Sequence, residues 1–471
     1  MMRVRPQRDV PAKSSPTRIA LGRAASGFAA CALLFAGCKK PLPPHTVGIA
    51  LDVGGRGDQS FNDGALRGVE GLAAGVKSTA HGYVSLTDAE YAAIVPSDLS
   101  AVAHLPIPPP LVLSGKAQED YEPNLQLLVD QGVELTIAVG FMMEPAVRAV
   151  SLRNPNAKFL LLDSPVLDET GKKPVVRPNV RAVVFREQEG SFLAGVLAGE
   201  LTRTGKVGFV GGMQLPLILK FEAGFRAGVR AVNPDAEKNM LVAYTGTFDD
   251  EKKGVEVGGD LYAKGCDIVF HAAGLDGLGV IKAAEKAHKL VIGVDSDQSK
   301  VAPHNVLTSM VKHVDIAVYQ GIADQLAGKF AGGDVTLGLK EGGVGLAPLG
   351  GDAIPEITNE MKAGAIADIN KLTQAVITGR ITVPATIADL GPFQPVSPEM
   401  YSLVNVPGHP PSTPAPLPAG ATSPLKDAPP PLDADAGTPA AAPAKAAAPA
   451  PAPTVAPKTV AHPVAAPAPK K

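Results

Sequence analysis

TVGIALDVGGRGDQSFNDGALRGVEGLAAG, residues 46–75, runs from an apolar stretch through a glycine-rich bend into a helix-compatible segment. That order is the opening of a strand–loop–helix unit. The bend lacks the lysine of a phosphate-binding P-loop, and it ends in Ser60-Phe61-Asn62-Asp63, an aromatic ring flanked by polar groups. The apolar run recurs as ELTIAVG (134–140), KFLLLD (158–163) and RAVVF (181–185). A second set follows: KVGFVGG (206–212), NMLVAYTG (239–246), DIVFHAAG (267–274) and KLVIGVD (289–295). Most runs precede helix-compatible segments such as SFLAGVLAGELTR (191–203) and KFEAGFRAGVRAV (220–232). Strand and helix alternating at this spacing predict parallel sheets covered on both faces.

Two similar sets of strands, divided near Thr204, predict two lobes with a cleft between them. Many of the runs end in Gly or Asp, as in ALDVGG, LLDS, FVGG and GVDSD. Ligands of open parallel sheets bind beyond the carboxyl ends of the strands, so these positions are candidate site residues. SAVAHLPIPPP, residues 100–110, reads as a proline-rich loop inserted in the first lobe.

Both ends of the chain differ from this middle. Residues 1–37 have a basic, acid-poor start and a short apolar run, the pattern of a secretory signal peptide. The run is too short to span a bilayer comfortably. LFAGC (34–38) resembles a bacterial lipobox, which makes Cys38 the expected site of lipidation and residues 38–45 a linker from the anchor. Cys31 falls in the segment expected to be removed, leaving Cys266 alone, so no disulfide framework or metal cluster can be built from cysteine. Residues 407–471 are mostly Pro and Ala and predict an extended, disordered tail. The formal charge of −2 carries no basic field of the kind nucleic-acid binding requires.

VGIALDVGGRGDQSFND, FREQEGSFLAGVLAGELT, GTFDDEKKG, GCDIVFHAAGLDGLGVIKAA, VIGVDSDQS and VLTSMVKHVD together resemble the basic membrane protein (BMP) family. These are substrate-binding lipoproteins of ABC transporters, purine nucleoside receptors among them. The resemblance implies a type I periplasmic-binding-protein fold over residues 46–400: two doubly wound α/β lobes, a hinge and a ligand cleft between them. The first lobe would lie mainly in 46–204 and the second mainly in 205–310, with later crossings. It also implies a monomeric receptor that captures a purine nucleoside, delivers it to an ABC permease, and needs no cofactor.

A nucleoside requires an aromatic face for its base, a polar partner at the base edge and charged groups for its diol. Phe61 supplies a face, or else staples the following helix hydrophobically. In the resemblance, Asp52, Phe61 and Asn62 line the pocket; turn-making and N-capping are the alternatives for the two polar residues. The resemblance makes Asp295 the ribose ligand, Asp297 either a support behind that ligand or structural, and Lys312 the lysine near the sugar. Glu144 in AVGFMMEPA falls where the resemblance places a base-edge carboxylate, or it answers the helix dipole. Phe270 and Phe248 are candidates for a second stacking ring, each equally suited to a core. Gly274 lets a helix start approach the ligand closely. A nucleoside hydrolase would use carboxylates near a ribose too, but no dense aspartate cluster, nucleophile–histidine arrangement or zinc-spaced histidine pair is present. An envelope sensor or surface-interaction lipoprotein on the same fold is the other alternative.

Overall fold

The computed structural model describes residues 41–95, 102–353, 355 and 357–396. The signal peptide, Cys38 and the Pro/Ala tail lie outside the described residues.

In the first lobe, β1 (Val47–Leu51) follows the linker, and the small hairpin of β2 (Val76–Thr79) and β3 (Gly82–Ser85) stands apart from the main sheet. Next come β4 (Leu111–Ser114), β5 (Leu135–Ala138), β6 (Phe159–Leu162) and β7 (Val180–Phe185). The second lobe holds β8 (Val207–Gly211), β9 (Leu241–Tyr244), β10 (Ile268–Ala272), β11 (Leu290–Asp295) and β12 (Val306–Lys312). The chain then adds β13 (Gly333–Leu337) to the first sheet and β14 (Val344–Leu346) to the second.

The first sheet has the order β13-β7-β6-β5-β1-β4 and is parallel throughout. The second has the order β14-β12-β11-β10-β8-β9, parallel except for β14 at its edge. Every residue of β1, β5, β6, β8, β10 and β11 is buried, which is why these strands read as unbroken apolar runs rather than alternating ones. The two-lobe α/β architecture is the one the sequence predicts.

The lobe division falls earlier than Thr204. Helix Glu187–Leu201 packs against helix Pro216–Val232 and against β12 and β14, so the chain leaves the first lobe at Arg186. Glycines create this packing: a Cβ at Gly195 would sit 2.1 Å from the carbonyl oxygen of Phe225, and one at Gly228 would sit 2.0 Å from that of Phe192. The repeated AG pairs in the two helices are therefore a seam of close backbone approach within the second lobe.

Two later crossings complete the connection. After β12 the chain returns through helix Val314–Leu326, which packs on β5 and β6, and after β13 it leaves again for β14. The three crossings lie side by side. Arg186 N–H donates to Leu337 O at 2.9 Å, and His313 N–H to Gly343 O at 2.9 Å.

The proline-rich insertion is held down on the first lobe. Leu105 and Ile107 are buried, Leu105 N–H donates to Ala73 O at 2.6 Å, and Tyr319 Oη donates to Ala103 O at 2.8 Å.

Candidate functional site

A cavity between the carboxyl ends of the two sheets contains about 570 Å³ of space free of protein atoms, part of it open to solvent. Its first wall is the loop after β1. Asp58 organises this loop: its carboxylate accepts from the backbone N–H groups of Ser60 (3.0 Å), Asn62 (2.8 Å) and Asp63 (3.0 Å). Asp58 thus caps helix Phe61–Leu66, the role open to Asn62 on sequence grounds. Asn62 is released to brace the strand end, its Oδ1 accepting from Asp52 N–H at 3.1 Å.

Asp52 itself is buried. Its Oδ1 accepts from Val53 N–H at 2.7 Å and from the Tyr121 hydroxyl, while no hydrogen bond among the described residues reaches Oδ2. Oδ2 lies against Gly140, where a Cβ would come within 2.5 Å of it; Gly140 also has φ 111°, so glycine is required there on both counts. Burial pushes the Asp52 carboxyl up to about 6, against the pull of the Tyr121 and Val53 donors.

The cavity also holds a buried cluster of charge around Lys312. Its Nζ lies 2.7 Å from Asp163 Oδ2, 3.8 Å from Asp295 Oδ1 and 4.0 Å from Glu187 Oε1. Only the first distance is a hydrogen bond. Lys220 answers Glu187 from the far side at 3.1 Å. Three carboxylates against two ammonium groups leave the cluster one negative charge in excess. Asp163 Oδ1 and Asp295 Oδ1 are buried acceptors that no group among the described residues satisfies. Buried acceptors of this kind are costly unless a donor reaches them. Both aspartates also have positive φ, 70° at Asp163 and 62° at Asp295, a conformation that non-glycine residues adopt rarely and that tends to mark functional positions.

Burial pushes the Asp295 carboxyl up, with Lys312 and Ser60 pulling the other way. Glu187 is raised by the same cause. Burial alone would lower the Lys312 ammonium, but Asp163, Asp295 and Glu187 outweigh it and hold the group charged well above its ordinary range.

The rest of the lining is largely apolar. Phe61 and Phe141 come from the first lobe, and Leu217, Ile218, Phe221 and Phe248 from the second. Lys312 Nζ stands 4.6 Å from the centroid of the Phe61 ring, within cation–π range. Phe248 fits because Gly212 and Gly274 carry no side chain: a Cβ on Gly212 would lie 2.2 Å from its ring.

Asp52, Phe61, Asn62, Gly274, Asp295 and Lys312 are thus brought to one cavity. Phe270 and Glu144 are not. Phe270 is fully buried on β10, packed among Phe209, Phe221 and Phe225 with ring centroids 5.2–6.5 Å away. Of the two candidate second rings, Phe248 is the one at the cavity. Glu144, at the start of helix Glu144–Arg153, pairs with Arg148 at 3.3 Å and accepts from Leu167 N–H at 2.9 Å. It pins the segment that follows Asp163 and does not line the cavity. Asp297 is exposed and accepts from Ser299 N–H at 2.9 Å, a local turn contact. Asp163, Phe141, Phe221 and Glu187 carried no assignment from sequence, although the Asp163 strand end, LLDS, bears the same signal as that of Asp295. Among the described residues no group of three or more His, Cys, Asp or Glu side chains is arranged to hold a metal ion, and no helix is long and apolar enough to cross a membrane.

Two parallel α/β lobes, crossed three times by the chain and lining a cavity at their strand ends, define a type I periplasmic-binding-protein receptor. The family of ABC transporter substrate-binding proteins described as PnrA-like matches residues 46–386, and this chain belongs to it. It is 33% identical over 364 residues to the CD4+ T-cell-stimulating antigen of Listeria monocytogenes, covering 73% of this chain and 89% of that protein. It is 35% identical over 285 residues to the ABC transporter nucleoside-binding protein BmpA of Lactococcus lactis, covering 56% and 75%. A crystal structure of an ABC transporter solute-binding protein from Aeropyrum pernix superposes with a TM-score of 0.59 at 27% identity, covering 74% of this chain and 95% of that one. The chain is therefore a solute-binding receptor rather than an enzyme, and an ABC permease is the partner that this role implies.

Proposed function

We infer that this protein captures a purine nucleoside between its lobes and delivers it to its ABC permease. The observation that carries this reading is a cavity that combines buried, unsatisfied carboxylate oxygens with aromatic side chains. Asp163 Oδ1 and Asp295 Oδ1 are unsatisfied acceptors beside Lys312, suited to two vicinal hydroxyls and a ring or hydroxyl oxygen. Phe61 and Phe248 offer faces to a planar base, and Asp52 Oδ2 offers an acceptor to an N–H on its edge. The name of the Lactococcus relative points the same way.

Charge narrows the ligand further. Asp52, Asp58, Asp163 and Asp295 line the cavity against one ammonium among the described residues, Lys312, so a phosphorylated ligand meets net repulsion. The receptor takes nucleosides and rejects nucleotides. Ligand binding favours the closed form and shifts the lobes toward it.

Cys38 anchors the mature protein by lipid to the membrane on its periplasmic side, with the residues after it as a tether. Lys39 in place of an aspartate after that cysteine suits the outer membrane of a diderm host. Calorimetric titration with inosine, guanosine and inosine monophosphate tests the reading. Binding of the nucleosides and none of the monophosphate is expected; tighter binding of the monophosphate, or of neither class, would reject it.

A further inference from the structure

Ser60 occupies the N-cap position of helix Phe61–Leu66, yet its side chain makes no cap hydrogen bond. Asp58 does that work, leaving the Ser60 hydroxyl for another partner. That partner is in the other lobe. Ser60 Oγ donates to Asp295 Oδ2 at 2.6 Å, with Val294 O further off at 3.4 Å. Three more hydrogen bonds stitch the same two segments together. Ser296 Oγ donates to Ser60 O at 3.1 Å, Gln298 Nε2 to Gln59 O at 3.2 Å, and Arg67 to Ser296 Oγ at 3.3 Å. None of Ser60, Ser296, Gln298 or Arg67 lines the cavity, so the seam is built of protein alone.

The seam joins the ligand site at one residue. Asp295 gives Oδ2 to Ser60, while its Oδ1 has no hydrogen-bond partner among the described residues. Its own backbone, at φ 62°, holds the carboxylate in this bridging position.

We propose that Ser60 is the closure latch of the receptor, and that it and the ligand share the Asp295 carboxylate, one oxygen each. The sharing rests on the nucleoside reading above; the latch itself does not. Separating the lobes breaks the Ser60–Asp295 bond, because its two ends belong to different lobes. A ligand hydroxyl on Oδ1 fixes the carboxylate that Ser60 must meet, and Ser60 fixes the carboxylate that the ligand must meet. Binding and closure then reinforce one another through a single side chain. Ser60 acts through Asp295 and is a positioning residue.

The test uses the full-length protein with spin labels on exposed positions of the two lobes, Glu119→Cys and Lys252→Cys, and pulsed electron paramagnetic resonance distances. Ser60→Ala and, separately, Ser296→Ala are compared with the unsubstituted labelled chain. Without ligand, both variants are expected to shift the interlobe distance distribution toward a more open form at unchanged melting cooperativity. With inosine, Ser60→Ala is expected to raise the dissociation rate by about 10- to 100-fold, the range for losing a hydrogen bond to a charged group, with little change in association rate. Unchanged ligand-free distances in both variants would overturn the latch. Faster dissociation in Ser60→Ala with unaltered distances would do so too, since it would make Ser60 a direct ligand contact. Failure of inosine to bind the unsubstituted chain would reject the nucleoside reading and with it the sharing of Asp295, while the ligand-free distances would still decide the latch.

Discussion

Replacing Asp52 with asparagine is expected to stabilise the unliganded protein at neutral pH while weakening its ligand binding. Burial raises the Asp52 carboxyl from 3.8 to about 6. A folded-state value above the unfolded one means that the folded protein binds the proton more tightly. The associated stability is complete below pH 3.8 and is lost as pH rises through about 6. At 1.36 kcal/mol per unit, the cost of carrying this carboxylate ionised in the fold approaches about 3 kcal/mol at pH 7. An asparagine side chain at this position carries no such cost, and its amide oxygen can still accept from Tyr121 and Val53, the partners of the native Oδ1. Urea denaturation of wild type and Asp52→Asn at pH 4 and pH 7 reads the effect directly. The variant should gain about 1–3 kcal/mol on wild type at pH 7 and little at pH 4. At pH 7 it should also lose nucleoside affinity, because an amide replaces the acceptor at the base edge. A variant less stable than wild type at pH 7, or a difference independent of pH, would refute the assignment of Asp52 as a buried acceptor kept for the ligand at a cost to stability.

Phe61→Ala should weaken nucleoside binding at least tenfold in calorimetry without unfolding the protein, since base–aromatic stacking contributes about 1–3 kcal/mol per base. Lys312→Met should destabilise the fold by about 3–5 kcal/mol in chemical denaturation at pH 7, because it strands Asp163 and Asp295 without their cation and leaves Glu187 with Lys220 alone. Part of that loss should be recovered on acidification, as the raised carboxyls of Asp295 and Glu187 take up protons. Cys38→Ala should move the protein from the membrane fraction to the soluble fraction; unchanged partitioning would count against the lipid anchor.

The fold was legible because a strand buried on both faces leaves an unbroken apolar run, and six such runs ended in glycine or aspartate. The lobe boundary was not, because the crossing at Arg186–Glu187 carries no proline or glycine punctuation. What assigns helix Glu187–Leu201 to the second lobe is its glycine contact with helix Pro216–Val232, a tertiary fact. At the site, residues on one continuous motif were the easiest to read: Asp52, Phe61 and Asn62 share a loop with Asp58, which shapes it. Phe270 and Phe248 could not be separated, since what tells them apart is tertiary: one lies inside a strand and the other in a loop that Gly212 and Gly274 make room for. Asp163 ends its strand much as Asp295 does, but its meeting with Lys312 spans most of two lobes. No local pattern records that distance. Glu144 shows the converse error, a carboxylate at a strand–helix junction whose partners, Arg148 and Leu167, are structural.

A crystal structure of the protein grown with inosine tests the central claim most directly. The account predicts the base lying against Phe61 and the two ribose hydroxyls within hydrogen-bond distance of Asp163 Oδ1 and Asp295 Oδ1, with Lys312 beside them. A nucleoside bound elsewhere, or seated in the cavity with its hydroxyls turned away from both aspartates, would contradict it.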